Sequence, residues 1–473
     1  MTLVAGIDSS TQSVKVAVCD ADTGNVVRYG SAPHPDGTTC QPEAWWDALR
    51  SASAGLLDDV AAISIAGQQH GMVTLDDAGL PVRPALLWND TRSADAAADL
   101  VSEFGARHWA ESVGSVPAAA FTVTKLRWLA EHEPANAARA ATVLLPHDYL
   151  SYRLCGELTT DRGEASGTGY WSPASGTYRM DLLRHAFGRD LQVPRVAGPA
   201  EPIGRTDQGA LVGPGTGDNM AAALGLGIGP GDAVVSLGTS GTAFATSGSP
   251  TADPTGMVAG FADATGHYLP LACTLNAARV LTATARALAV SLDELADLAL
   301  TAAPGADGLV LLPYLDGERT PNLPHATGTL AGMTRQNMTP ACVARAAVEG
   351  VLCGLAEALD AVRASGAVFH RIFLIGGAAV NAAVQAAAQT IFDIPVVVPS
   401  PAEYVAIGAA RQAACAMTGA WPQWDPGTAR KLEPSPAPHV RDVYTAARMQ
   451  FWPSTAGETS HGLAPPDGSA RSD

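Results

Sequence analysis

The chain has no excess of basic residues: 29 Lys and Arg stand against 46 Asp and Glu, for a formal net charge of -17. So acidic a surface repels a phosphate backbone, and no nucleic-acid-binding module occurs, so DNA and RNA are excluded as partners. No apolar run approaches the roughly 20 residues of a membrane span. The opening Met1-Thr2-Leu3-Val4-Ala5-Gly6 carries no basic stretch ahead of an apolar one, as a secretory signal would. These absences predict a soluble protein of the cytoplasm. The cysteines, Cys19, Cys40, Cys155, Cys273, Cys342, Cys353 and Cys415, are odd in number and never spaced as a C-x-x-C pair, which predicts buried or reduced thiols. Asn89-Asp90-Thr91 fits a glycosylation pattern, but that chemistry requires a secreted chain. Absent too is a P-loop lysine motif, so a nucleotide would have to be held another way.

What is present is length and apolar content. At 473 residues and 47% hydrophobic, the chain can bury a large core and fits two or three domains. Two short polar loops in opposite halves look alike: Gly6-Ile7-Asp8-Ser9-Ser10-Thr11-Gln12-Ser13 and Leu237-Gly238-Thr239-Ser240-Gly241-Thr242. Each sits between apolar runs, Val4 to Ile7 and Val14 to Cys19 in the first, Ala233 to Leu237 and Thr242 to Thr246 in the second, and so reads as a hairpin turn. Small residues let backbone N–H groups face an anion, and the Ser and Thr hydroxyls add donors. A single turn of this kind is ordinarily a self-satisfied loop. The duplicated setting predicts two clamps on one polyphosphate. Asp8, an acid beside the phosphate position, implies a magnesium ion between them, reached directly or through water; the alternative is that Asp8 only caps its turn.

The first half predicts β structure around a Gly24 turn, at Ile63 to Ala66 and at Met72 to Leu75, then a helix around Lys125 to Glu131. The second half predicts a helix over Cys342 to Val362, with Val348, Val351, Leu352, Leu355 and Leu359 on one face. A buried strand Arg371 to Ile375 should end in Gly376-Gly377, followed by a helix from about Asn381 and a strand Pro395 to Val398. The fold expectation is α/β, with two duplicated domains meeting at a cleft and joined near Gly227-Ile228-Gly229-Pro230-Gly231, a plausible hinge. Boundaries fall at 1–226, 227–425 and 426–473; the last segment holds a short helix around Val443 to Trp452 and a tail predicted to be disordered from Ser454. Just before the join, Gly213-Pro214-Gly215-Thr216-Gly217-Asp218-Asn219 is a Gly-rich loop running into an apolar helix. Asp218 is placed at its N-cap, where an Asp is common for structural reasons alone; the other reading is a catalytic base at the cleft.

Taken together, these residues make the sequence similar to the FGGY carbohydrate kinases, and within them to the branch that acts on xylulose. The likeness runs through nearly the whole chain. Its parts are the first turn, Gly67-Gln68-Gln69-His70-Gly71, Leu87-Trp88-Asn89-Asp90-Thr91-Arg92, Lys125 to Leu129, Asp148 to Leu154, Ala165-Ser166-Gly167-Thr168, Gly217-Asp218-Asn219, Ser236 to Gly241, Leu312 to Pro321 and Ile375-Gly376-Gly377-Ala378. The resemblance implies an actin-like (ribonuclease H-like) duplicated ATPase fold that closes over MgATP and a sugar and phosphorylates D-xylulose at its 5-hydroxyl. It implies Asp218 as general base with Asp8 beside it at the Mg²⁺, the latter through water. The sugar would meet Gln69, His70, Trp88, Asn89, Asp90, Asp218 and Asn219. The nucleotide would meet Ser9, Ser10 and Thr11 in the first turn, Gly238, Thr239 and Ser240 in the second, and Gly376, Gly377, Ala378 and Asn381. Family members are often homodimers. The chain departs from the pattern at Gln69, commonly Met; at Ala378, commonly Gly; at Val380, commonly basic; and at Thr327, commonly Arg. Two alternatives remain: a kinase for another ketose or polyol, and an actin-like protein that senses sugar and ATP without catalysis.

Overall fold

The computed structural model describes residues 1–425 and 427–453; the tail expected to be disordered from Ser454 lies outside them. Strand Leu3–Ser9 is buried along its whole length, as its unbroken apolar run demands of a strand covered on both faces. It pairs antiparallel with Ser13–Asp20 and parallel with Val60–Gly67. The second half repeats the arrangement. Gly231–Leu237 pairs antiparallel with Gly241–Ala245 and parallel with Phe369–Ile375. Each three-strand unit grows into a seven-stranded sheet, giving the duplicated actin-like architecture expected from the sequence.

The expected helices form, and their ends follow local chemistry. The long one spans Pro340–Ala364, with the Thr339 hydroxyl accepting from Cys342 N at 3.2 Å. Asn381 caps Ala382–Ile391 by accepting from Ala383 N and Val384 N. The helix expected over Val443 to Trp452 runs instead over Pro438–Phe451, because Pro438 stands at its first turn, where a missing N–H is no loss. All seven cysteines are unpaired. No described helix is long and apolar enough to cross a membrane.

The two halves interpenetrate. Helix Tyr404–Thr418, late in the chain, lies on the first sheet, where Ala406, Ala410, Ala413 and Ala414 pack on Val4, Ala17, Cys19 and Ala62. It also crosses helix Asp218–Leu226 at backbone contact: a Cβ on Gly408 would stand 1.8 Å from the Ala221 carbonyl oxygen, and one on Gly225 would stand 2.0 Å from that of Tyr404. Only glycine allows so close an approach. Polar ties fix the crossing. Arg411 Nη1 donates to Leu224 O at 2.8 Å, satisfying a carbonyl in the last turn of the facing helix. Gln412 links Ser64 Oγ, at 2.6 Å, to the Gly215 carbonyl, at 2.9 Å.

Gly408→Ala should therefore force the two helices apart and lower unfolding stability by about 3 kcal/mol or more, read from denaturant midpoints. Gly354→Ala is the control: its Cβ would meet only Tyr444 Oη, at 3.5 Å, so the helix propensity of alanine should make it neutral or stabilising by up to about 1 kcal/mol.

Candidate active site

The carboxyl ends of three parallel strands of the first sheet deliver the acidic side. Ser9, Gly67 and Gly217 stand in register across Leu3–Ser9, Val60–Gly67 and Thr216–Gly217, so the residues that follow each strand emerge at one edge, where α/β sheets bind ligands. Asp218 is the first residue of its helix rather than the N-cap. Gly217 takes that position because its extended backbone is held in the strand paired with Gly67. The Asp218 carboxylate accepts through Oδ1 from Asn219 N and Asn219 Nδ2, both at 2.8 Å, leaving Oδ2 without a protein donor. Crowding by protein, with the nearby Asp8 charge, pushes the Asp218 carboxyl up to about 7. Asp8 is raised to about 6, first by burial, while its hydrogen bond from Ser10 Oγ and the charge of Lys15 pull the other way.

A cavity of about 250 Å³ opens beside Asp218, and Gln69, His70, Trp88 and Asn219 line it with Asp218. His70 has a left-handed backbone, φ 67°, a conformation that costs energy outside glycine and clusters at functional sites. Its Nδ1 donates to Gly167 O at 2.7 Å and its ring stacks near Phe121 and Phe261. Burial lowers it to about 3, so the neutral ring presents Nε2 as an acceptor. Trp88 Nε1 donates to Thr11 Oγ1 at 2.8 Å, tying the pocket to the first turn. Gln69 Oε1 accepts from Asn219 Nδ2 at 3.5 Å, while Gln69 Nε2 is buried without a partner. Asn89 and Asp90 do not line the cavity. The Asp90 carboxylate is taken up by Arg92 and by Thr38 Oγ1.

The second half closes the same cavity with Gly238, Thr239 and Ser240 of its turn, together with Thr242, Phe261 and Arg319. Thr242 Oγ1 donates to Asn219 Oδ1 at 3.4 Å, a direct link between the halves. A second cavity of about 670 Å³ lies on the far side of this turn, between Gly377, Ala378 and Asn381 on one wall and Leu281, Leu292 and Ala296 on the other. Gly238 and Thr239 line both cavities. Gly376 sits beneath the second one, where a Cβ would strike Leu237 O at 2.5 Å. Val380 lines it as an exposed apolar group, and Thr327 is exposed outside both. Ser9, Ser10 and Thr11 line neither, but surround Asp8 at the end of their strand. Sequence reasoning missed Thr242, Arg319, Leu281 and Leu292. Arg319 lies in a motif that it did single out, Gly317-Glu318-Arg319-Thr320-Pro321, yet nothing local says which way that side chain points.

Comparison with known proteins agrees with this geometry. Residues 3–227 match the N-terminal domain of the FGGY family of carbohydrate kinases, and residues 233–417 match its C-terminal domain. A xylulose kinase of Streptomyces coelicolor is 49% identical over 434 residues, 88% of each chain, and one of Streptomyces rubiginosus is 48% identical over 458 residues, 93% of each. The crystal structure of xylulose kinase from Bifidobacterium adolescentis superimposes with a TM-score of 0.89 at 45% identity, covering 94% of this chain and 99% of that one. Two sheets built on one plan, an acid at the cleft between them and family matches across both halves lead to one conclusion: the chain belongs to the FGGY family of carbohydrate kinases.

Proposed function

We propose that this chain transfers the γ-phosphoryl group of ATP to the 5-hydroxyl of D-xylulose, in the cytoplasm, with Asp218 as general base. One observation carries the reading: the Gly238-Thr239 turn lines both the cavity that holds Asp218 and the larger cavity behind it. A phosphate chain lying on that turn has its nucleoside on one side and an acceptor hydroxyl on the other. Asp218 Oδ2 takes the hydroxyl proton as the oxygen bonds to the γ-phosphorus, and the bond from that phosphorus to the bridging oxygen of ADP breaks. Gln69, His70 and Trp88 orient the sugar, and the hydroxyls of Ser9, Ser10, Thr11, Thr239 and Ser240 with the turn amides carry the phosphate charge. The apolar pair Leu281 and Leu292 faces the nucleoside across from Gly377, Ala378 and Asn381.

The residues at Asp8 fit a magnesium ion. Mg²⁺ takes one or two carboxylates and fills its remaining positions with phosphate oxygens and water, and here one buried carboxylate, bonded by Ser10 Oγ, stands at the end of a strand whose last hydroxyl, that of Ser9, is buried without a partner among the described residues. Asp8 would hold the ion, directly or through water, and the ion would neutralise charge on the phosphates. Closure of the halves, which the Thr242–Asn219 contact already bridges, would shut water out of the transfer.

The test is ADP release with MgATP against D-xylulose, D-ribulose, L-ribulose, glycerol and D-gluconate. Preference for D-xylulose is expected; preference for another acceptor keeps the mechanism and changes the substrate, while no stimulation by any of them leaves the sugar- and ATP-sensing alternative. Asp218→Asn should lower kcat by roughly 10²–10⁴-fold with the sugar KM within a few-fold of the parent, and a variant at parental kcat would remove Asp218 from the base role. Because Asp218 must be ionised to accept a proton and its carboxyl lies near 7, kcat/KM should fall tenfold per pH unit below about 7 and level off above it. A profile flat down to pH 5 would contradict this assignment.

A further inference from the structure

Arg319 enters the acceptor cavity from the second half of the chain. Its backbone is anchored by its neighbour: the buried Glu318 carboxylate accepts from Leu275 N at 2.6 Å, from Asn276 Nδ2 at 3.0 Å and from Arg319 N at 2.8 Å. The guanidinium itself makes no hydrogen bond or ion pair among the described residues. It stands near His70, Lys125 and Cys273; burial dominates the ionisation of all three, and the Arg319 charge acts on each as well. It also borders a side cavity of about 120 Å³ that shares Leu271 and Cys273 with the acceptor cavity. A cation with an anchored backbone and no hydrogen-bonding partner among the described residues, facing a pocket for a neutral sugar, calls for a ligand group.

The chemistry of a ketopentose that is to be phosphorylated on its 5-hydroxyl supplies one. Such a sugar closes its ring by joining O5 to C2, so O5 is a free hydroxyl only in the open-chain form, and that form has a carbonyl at C2. A carbonyl oxygen only accepts hydrogen bonds. Asp218 and the Nε2 of neutral His70 are acceptors and cannot serve it. Among the donors, Trp88 Nε1 is committed to Thr11 and Asn219 Nδ2 to Asp218, while the hydroxyls of Ser236, Thr239 and Ser240 lie on the strand and turn along which the phosphate chain is placed. Gln69 Nε2 has no partner, but its amide is joined through Asn219 to the base, at the reacting end of the acceptor. Arg319 remains: a cationic, rigid fork of donors.

We propose that Arg319 holds the C2 carbonyl of the open-chain ketose and so makes the site prefer a ketose over the alcohol with the same carbon chain. The inference rests on the ketose-kinase reading above. The test compares the parent with Arg319→Met and Arg319→Lys on D-xylulose and on its two C2-reduced alcohols, xylitol and D-arabinitol, the alcohols being assayed as substrates or as competing ligands. In Arg319→Met the KM for D-xylulose should rise about 10- to 100-fold, as expected on losing a hydrogen bond to a charged donor, with kcat within about fivefold. Affinity for the alcohols should stay within about threefold, so that the preference for the ketose shrinks, and Arg319→Lys should recover part of it. The KM for ATP and the melting temperature should not move. Equal losses on ketose and alcohols, or a shift in the KM for ATP instead, would overturn the assignment. Should the Met variant not fold, Arg319→Lys and Arg319→Gln carry the same comparison. A parent that turns over no ketose removes the kinase reading and this one with it, whereas a parent active on D-xylulose whose ketose preference survives in the variants removes this one alone.

Discussion

The crossing of helix Asp218–Leu226 with helix Tyr404–Thr418 is the contact on which the site depends. Gly225 and Gly408 let the two backbones touch, which fixes how the body of the first helix lies on the sheet, while the pairing of Gly217 with Gly67 sets where it begins. Asp218 is its first residue. The other helix belongs to the second half by sequence and to the first sheet by packing, so the helix that carries Asp218 is held by residues from both halves of the chain. The Arg411 and Gln412 ties place the positional information for Asp218 in a segment almost 200 residues away from it.

Electrostatics at the cleft follows from burial more than from pairing. Behind Asp218 lies a cluster of enclosed acids, in which Glu164 is pushed well above its usual range by burial and then by the charges of Asp161 and Asp218. Asp148 is raised to about 7, again first by burial. Glu164 abuts the residue before the base: a Cβ on Gly217 would come within 2.7 Å of its Oε1. No described cation pairs with Asp218, so its proton affinity is set upward by desolvation and by Asp8, the direction a general base at neutral pH needs. Asp8 and Asp218 repel each other when both are ionised, and a cation bound with the nucleotide phosphates would relieve that repulsion as substrate arrives.

The two hairpins occupy equivalent places in two sheets of the same plan, and the second turn separates an acceptor-sized cavity from a nucleotide-sized one. The aromatic and apolar walls around His70 keep it neutral, and the larger cavity is lined by Leu281, Leu292, Ala296 and Val380 together with Asp293 and Asp297. Val380, exposed and apolar where the family pattern is commonly basic, belongs to that lining.

Local pattern was enough to read the two hairpins, the buried central strands, the long Pro340–Ala364 helix and the Asn381 cap, because each is written in runs of neighbouring residues: alternation, helical spacing, or a cap next to its helix. Ordered motifs grouped Gln69, His70, Trp88 and Asp218, and the structure places all four around one cavity. Local pattern put Asp218 one position too early in its helix, since the pairing of Gly217 with Gly67 is a contact across 150 residues. It also grouped Asp90 with the sugar, whereas the fold spends that carboxylate on Arg92 and Thr38. The sequence by itself determined the family, the paired turns and the chemical type of the site, because those depend on which residues are present and in what order. Only the tertiary structure decided that Arg319 enters the acceptor cavity, that one turn serves two cavities and that burial tunes Asp218, because direction, enclosure and dielectric arise from distant segments packing together.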